Sequence, residues 1–147
     1  MATGTASPAE VMEKSKTIAV VGASKNPEKE AYQVPRYLQE NGYRIVPVNP
    51  TATEILGETA YPSLVELPEK VGRTVDVVEV FRPSDELPQV ALQAVEMKRR
   101  LGRSLVFWAQ LGLENDEAKR ILESNGIQYV MDACMRTVHK VRVREAV

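Results

Sequence analysis

The chain reads as short, wholly apolar runs separated by longer stretches whose apolar residues recur at helical spacing. Five runs predict strands: 17–21, 43–48, 75–80, 104–108 and 127–131. The first, Thr17-Ile18-Ala19-Val20-Val21, shows no polar–apolar alternation, the pattern of a strand covered on both faces. Ser7-Pro8-Ala9-Glu10 supplies a cap, a first-position proline and an acidic first turn, so a short helix is predicted over 8–14 with Val11 and Met12 inward. A second helix is predicted from about Tyr32 to Asn41, with Val34, Tyr37 and Leu38 on one face and Pro35 near its first turn. A third runs from a Ser84 cap to about Arg100 and presents Leu87, Val90, Ala91, Ala94 and Met97. A fourth follows Asn115, with Asp116 and Glu117 in its first turn and Ala118, Ile121 and Leu122 inward. Residues 51–62 read as irregular with a turn at Gly57, and 63–67 as one helical turn. The tail, 137–147, alternates Val138, Val141 and Val143 with basic residues and fits either an added strand or an arm.

Strand and helix thus alternate five times, joined by short helix-to-strand connections at Gly42, Gly102 and Gly126. Such connections force parallel strands with right-handed crossovers. The expected fold is α/β, a Rossmann-like doubly wound parallel sheet of five strands in the order 3-2-1-4-5, with helices on both faces. Asp76 and Glu79 make the third run the least apolar, which places it towards an edge. One domain is expected over residues 1–147.

Charge and composition narrow the function classes. Nineteen basic residues are set against 20 acidic ones in 147, and no basic run carries interleaved aromatics, so neither nucleic acid nor a membrane surface is an expected partner. Met1 to Ser7 lacks the apolar core of a signal peptide. No apolar run approaches the ~18 residues of a membrane span. The single Cys134 cannot form an internal disulfide, which fits a reducing compartment, and a cytoplasmic location is expected.

In a parallel sheet the loops leaving the strands meet along one crevice, where phosphate-bearing ligands bind to free amides and a helix N-terminus. Those loops carry Gly22-Ala23-Ser24-Lys25, Asn49-Pro50, Phe81-Arg82-Pro83, Trp108-Ala109-Gln110-Leu111-Gly112 and Asp132-Ala133-Cys134. They offer backbone donors, a hydroxyl, two cations and a flat apolar wall, an inventory suited to a nucleotide. The dinucleotide fingerprint wants three glycines and an acid after the second strand. Only Gly22 is present, and the acid's place holds Asn49-Pro50. These absences count against an NAD(P)-binding module or oxidoreductase, which stands as the alternative. No phosphate-binding loop ending in Gly-Lys-Ser/Thr occurs.

Val21-Gly22-Ala23-Ser24-Lys25, Tyr43-Arg44-Ile45-Val46-Pro47-Val48-Asn49-Pro50, Val80-Phe81-Arg82-Pro83 and Trp108-Ala109-Gln110-Leu111-Gly112 occur in this order. The series resembles the small stand-alone coenzyme A-binding domain family, itself similar to the N-terminal domain of the succinyl-CoA synthetase alpha subunit. The resemblance spans about Ser15 to Arg136. It implies that coenzyme A, or an acyl-CoA, lies across the strand ends. Gly22, Ala23, Ser24 and Lys25 would hold phosphates, and Asn49 and Pro50 would line the adenosine side. Val80, Phe81 and Arg82 would form the opposite wall, while Trp108, Ala109 and Gln110 guide the pantetheine arm towards Cys134. Lys29 stands where many relatives carry arginine; it keeps the charge and loses the bidentate fork. The synthetase subunit has a further domain bearing a phosphorylated histidine, which this chain does not reach, so no catalysis of its own is expected. A homodimer or a partner enzyme is left open.

Cys134 admits two readings. Its thiol could exchange with CoA or take an acyl group, making this a thiol- or acyl-transfer enzyme, or it is a small buried hydrophobe. His139, the sole histidine, has no second ligand type nearby to make a metal site, and a surface or tail position is expected. Lys98-Arg99-Arg100 suits a helix C-terminus rather than a nucleic-acid patch.

Overall fold

The computed structural model describes residues 2–145. The elements in chain order are β1 (Thr3–Gly4), α1 (Pro8–Lys14), β2 (Thr17–Val21), α2 (Glu30–Glu40), β3 (Arg44–Val48), β4 (Glu54–Ile55), β5 (Glu58–Thr59), α3 (Glu69–Gly72), β6 (Val77–Val80), α4 (Leu87–Leu101), β7 (Val106–Ala109), α5 (Asp116–Ser124), β8 (Gln128–Met131) and α6 (Met135–Glu145). Single 3-10 turns occupy Leu64–Glu66 and Ser84–Glu86. The local signals act as expected at two helix starts. Ser7 Oγ accepts from the Glu10 amide ahead of α1, and Asn115 Oδ1 accepts from the Ala118 amide ahead of α5. Both satisfy donors that a helix N-terminus leaves open.

The central sheet has six strands in the order β1-β8-β7-β6-β2-β3, so the expected five strands in the order 3-2-1-4-5 are corrected. The five long strands are parallel, and β1 adds an antiparallel edge through Thr3↔Met131 and Gly4↔Val130. In terms of the five predicted runs the order is 2-1-3-4-5. The third run, β6, lies at the centre, with Glu79 opposite both Val20 of β2 and Trp108 of β7. Its two acids are used differently from surface acids. Asp76 accepts from the Lys16 and Thr17 amides at 2.8 and 3.0 Å and from Arg103 Nη2 at 2.6 Å, tying the starts of neighbouring strands together. Glu79 is fully buried.

A proline explains why β3 takes the edge. Pro47 has no amide hydrogen, so it fits an edge strand and not a strand paired on both sides. The outer side of β3 is instead covered by the segment after it: the Tyr61 amide donates to Pro47 O and the Asn49 amide to Tyr61 O. The stretch expected to be irregular contains the β4–β5 hairpin, whose turn residues Leu56 and Gly57 both have positive φ.

Helices cover both faces. Leu87, Ala91, Ala94 and Met97 of α4, with Ala118 and Leu122 of α5, pack in one core layer against Val78, Val80 and Phe107. Val11 and Met12 of α1, Val34 and Leu38 of α2, and Met135 of α6 share the other with Val20, Val77 and Trp108. The tail is a helix to Glu145, not a strand or arm, and it packs on α1 and α2; residues 146 and 147 lie outside the described set. Met135, Val138, His139 and Arg142 keep helical spacing, a pattern that competes with the alternation of Val138, Val141 and Val143. Among the described residues no helix is long and apolar enough to cross a membrane.

Candidate functional site

The sheet order fixes where the crevice opens. The chain leaves β2 towards β3 on one side, then returns past β2 to β6. The crevice of an open α/β sheet forms outside the strand ends at such a reversal, here between β2 and β6. The β2 loop and the β6 loop meet there at Gly22. Its φ is +86°, and a Cβ would lie 2.9 Å from Phe81 O and 3.0 Å from Arg82 Cδ. Glycine is therefore required both by conformation and by the close approach of the neighbouring strand end.

Two recesses open along these strand ends. One, of about 270 Å³, is lined by Gly22, Asn49, Pro50, Arg82 and Glu86 among others. The other, of about 470 Å³, is lined by Lys29, Glu30, Phe81, Gln110, Cys134 and Arg136 among others. Between β2 and α2 the loop is held by its own side chains: Ser24 Oγ accepts from the Asn26 amide and Asn26 Oδ1 from the Glu28 amide, both at 3.0 Å. Ser24 N–H donates to Ala31 O. Among the described residues, the amides of Ala23 and Lys25, and the first-turn amides of α2 at Glu30 and Ala31, meet no protein acceptor. Lys25 and Lys29 are exposed on this loop. The result is a cradle of backbone donors beside two cations at the start of an 11-residue helix, an arrangement that attracts anions.

The expected site residues divide into four groups, of which Ala23, Ser24 and Lys25 lie in the loop just described and line neither recess. Gly22, Asn49, Pro50 and Arg82 line the smaller recess, and Lys29, Phe81, Gln110 and Cys134 the larger. Asn49 is a brace more than a lining group. Its Nδ2 donates to Ala23 O at 2.8 Å, and its Oδ1 accepts from the Thr51 amide, the Thr51 hydroxyl and the Ala52 amide. Arg82 is held by Glu86 at 3.0–3.1 Å through Nε and Nη2, so its charge is already matched. Gln110 Oε1 accepts from the Met135 amide at 3.1 Å and so anchors the start of α6. Val80, Trp108 and Ala109 are fully buried and line neither recess; they belong to the core at the strand ends. The Trp108 indole does not face the crevice but donates from Nε1 to Ala133 O at 2.8 Å, fixing the turn that carries Cys134.

One group went unseen in the sequence and two were misplaced. Arg136 lines the larger recess and pairs with Glu30 at 3.0 Å; the helical spacing from Met135 onward is the signal that would have placed it. His139 is 7% exposed rather than on the surface. Its Nδ1 lies 2.7 Å from Tyr37 Oη, and the Tyr37 and Tyr43 rings both meet it edge-on. Burial lowers the imidazole pKa, and Arg142 lowers it further. Glu79 has both carboxyl oxygens buried with no partner among the described residues. Burial raises its pKa well above the usual carboxylate range, with a further push from Cys134, so the core favours the uncharged form.

The profile of the CoA binding domain family matches residues 16–140. The chain belongs to this CoA-binding domain family. It is 42% identical over 132 residues to the Bacillus subtilis (strain 168) protein YneT, covering 90% of this chain and 91% of that one. It is 33% identical over 104 residues to the Pyrococcus furiosus acetate–CoA ligase [ADP-forming] II subunit alpha, covering 70% of this chain and 21% of the subunit. A solved Thermus thermophilus structure superposes with a TM-score of 0.78 at 38% identity over 90% of this chain and 94% of that one. This CoA-binding domain thus covers more than nine-tenths of two of these chains and about a fifth of the ligase subunit.

Proposed function

We propose that the protein binds coenzyme A across the ends of the parallel strands, with the diphosphate over the Gly22–Lys29 loop. The observation that carries this reading is the set of unclaimed amides at Ala23, Lys25, Glu30 and Ala31 beside Lys25 and Lys29. Amide donors, lysine charges and a helix N-terminus suit the phosphate groups of CoA. The smaller recess, with Pro50 and the flank of Arg82, suits the adenosine end. The larger, with Phe81, Gln110 and Cys134, suits the pantetheine arm and its thiol. The acetate–CoA ligase relatives lend support from their names.

A thermal-shift series with CoA, acetyl-CoA, NAD and NADP tests the reading. A ligand at about 100 times its Kd stabilises by roughly 2.7 kcal/mol. CoA is expected to raise Tm and the dinucleotides to leave it unchanged. Lys25→Ala is expected to weaken CoA binding by about 1–3 kcal/mol, the loss of one charge-assisted phosphate contact. A rise with NADP and none with CoA would overturn the assignment.

A further inference from the structure

The smaller recess lies on the α4 side of the sheet, since Val21 and Val48 of its lining belong to the core layer that α4 covers. Pro50 and Pro62 add apolar surface to it. Its polar lining is of two kinds. Asn49, Arg82 and Glu86 are already bound to protein groups. The side-chain amides of Gln89 and Gln93 are not, among the described residues. Glu86, Gln89, Val90 and Gln93 keep helical spacing, so one face of α4 carries both glutamines to the recess. Gln93 is half-buried and Gln89 exposed. Arg82 contributes something else. Glu86 accepts from its Nε and Nη2 at 3.0–3.1 Å, which matches the charge and fixes the guanidinium plane. A fixed guanidinium plane is a stacking surface for a heterocyclic base.

We propose that the smaller recess is a base-reading slot, in which Arg82 stacks on adenine and the Gln93 amide reads its hydrogen-bonding edge. A carboxamide presents a donor and an acceptor side by side, the complement of adenine's amino group and the ring nitrogen next to it. The slot presupposes CoA binding as read above and extends it: adenine, and not only the phosphates, sets the affinity. Gln93 is the reader because a hydrogen bond made in a shielded place gains more than one exchanged freely with water. Gln89, one turn nearer the strand ends, flanks it from the exposed side. Glu86 touches no base; it acts through Arg82 as a positioning residue. Both glutamines are uncharged, so this end of the ligand is recognised by shape and hydrogen bonding, while the phosphates are left to the loop that carries Lys25 and Lys29.

Calorimetric titration with CoA and with 1,N6-etheno-CoA, whose added ring closes the adenine edge, tests the slot. Wild type is expected to bind CoA about tenfold more tightly than the etheno form, the discrimination of one paired amide. Gln93→Leu removes the amide and keeps an apolar side chain there. It is expected to bring CoA down to the etheno affinity and to leave the etheno form unchanged, whereas a general disturbance would weaken both. A preference that survives Gln93→Leu is steric and overturns the proposal, as does equal affinity in wild type. That wild-type ratio needs no variant, so the test stands if Gln93→Leu does not fold. Arg82→Lys keeps the charge, loses the plane, and is expected to weaken both ligands alike by about threefold; unchanged binding overturns the stacking role. Adenosine 3′,5′-bisphosphate and its etheno derivative, which lack the pantetheine arm, separate the slot from the CoA assignment. A Gln93-dependent preference between these two, with no binding of CoA, supports the slot and counts against CoA as the ligand. Equal binding of CoA and etheno-CoA does the reverse, and no binding of any of the four overturns both.

Discussion

Replacing Glu79 by glutamine should change how stability depends on pH, and the direction follows from burial. The native carboxyl holds its proton well above the ordinary glutamate range because ionisation in the core would leave a charge without water or partner. The unfolded chain releases that proton in the ordinary range. Between the two values the native state binds one more proton than the unfolded state. Stability is then fully present below the unfolded value and falls as pH rises towards the native one, by about 1.4 kcal/mol per pH unit. Glutamine cannot ionise and has nearly the same shape. The variant should match the wild type in acid and become progressively the more stable protein as pH rises. Urea unfolding at a series of pH values, analysed as the difference between the two proteins, isolates this one group. The difference is needed because His139 acts in the opposite sense. Its native pKa is lowered, so its contribution is present above the ordinary histidine range and is lost as pH falls below it. Parallel stability curves for wild type and Glu79→Gln would refute the placement of an uncharged, unpartnered carboxyl in β6.

His139→Gln should remove the opposing acid-side loss, a slope of up to about 1.4 kcal/mol per pH unit; circular-dichroism melts that stay as pH-dependent as the wild type would contradict the burial of this ring against Tyr37 and Tyr43. Gly22→Ala should cost about 2–4 kcal/mol, combining left-handed backbone strain with a Cβ against Phe81 O. In a chain of this size that lowers Tm by roughly 10 °C and weakens CoA binding with it; an unchanged melt would show that the β2 and β6 ends do not meet at Gly22.

The elements themselves could be read in the sequence because each rests on local physics. The unbroken apolar run of β2, the Ser7-Pro8 and Asn115 caps, and the single apolar face of α4 need nothing from elsewhere in the chain. Strand order is different, since it depends on which edge a returning strand finds. Two acids suggested an outer place for β6, yet Asp76 serves as an amide acceptor between strands and Glu79 is buried with neither oxygen partnered among the described residues. The better signal lay in β3, where Pro47 can pair fully on one side only. At the candidate site, the loops that meet were legible as turn-rich strand ends, and Gly22, Lys29, Phe81, Gln110 and Cys134 do come to the crevice. Side-chain direction was not legible. Trp108 faces inward because the strand pleat puts it on the α1–α2–α6 layer, and Arg82 is drawn to Glu86 one helical turn along.

Glu79 also bears on how stability and chemistry are balanced in this fold. A buried carboxyl with neither oxygen bonded costs about 1–3 kcal/mol even when neutral. That is a sizeable part of the 5–15 kcal/mol by which a typical domain is stable. Its neighbours in the pairing, Val20 and Trp108, make an apolar environment in which valine or leucine would pack without that cost. The strand needs no acid for its hydrogen bonds, and among the described residues no basic residue is paired with it. The distinguishing feature of the position is its place below the Ala133–Cys134 turn, which Trp108 and Gln110 hold from the two sides. A proton held there is shielded from bulk water.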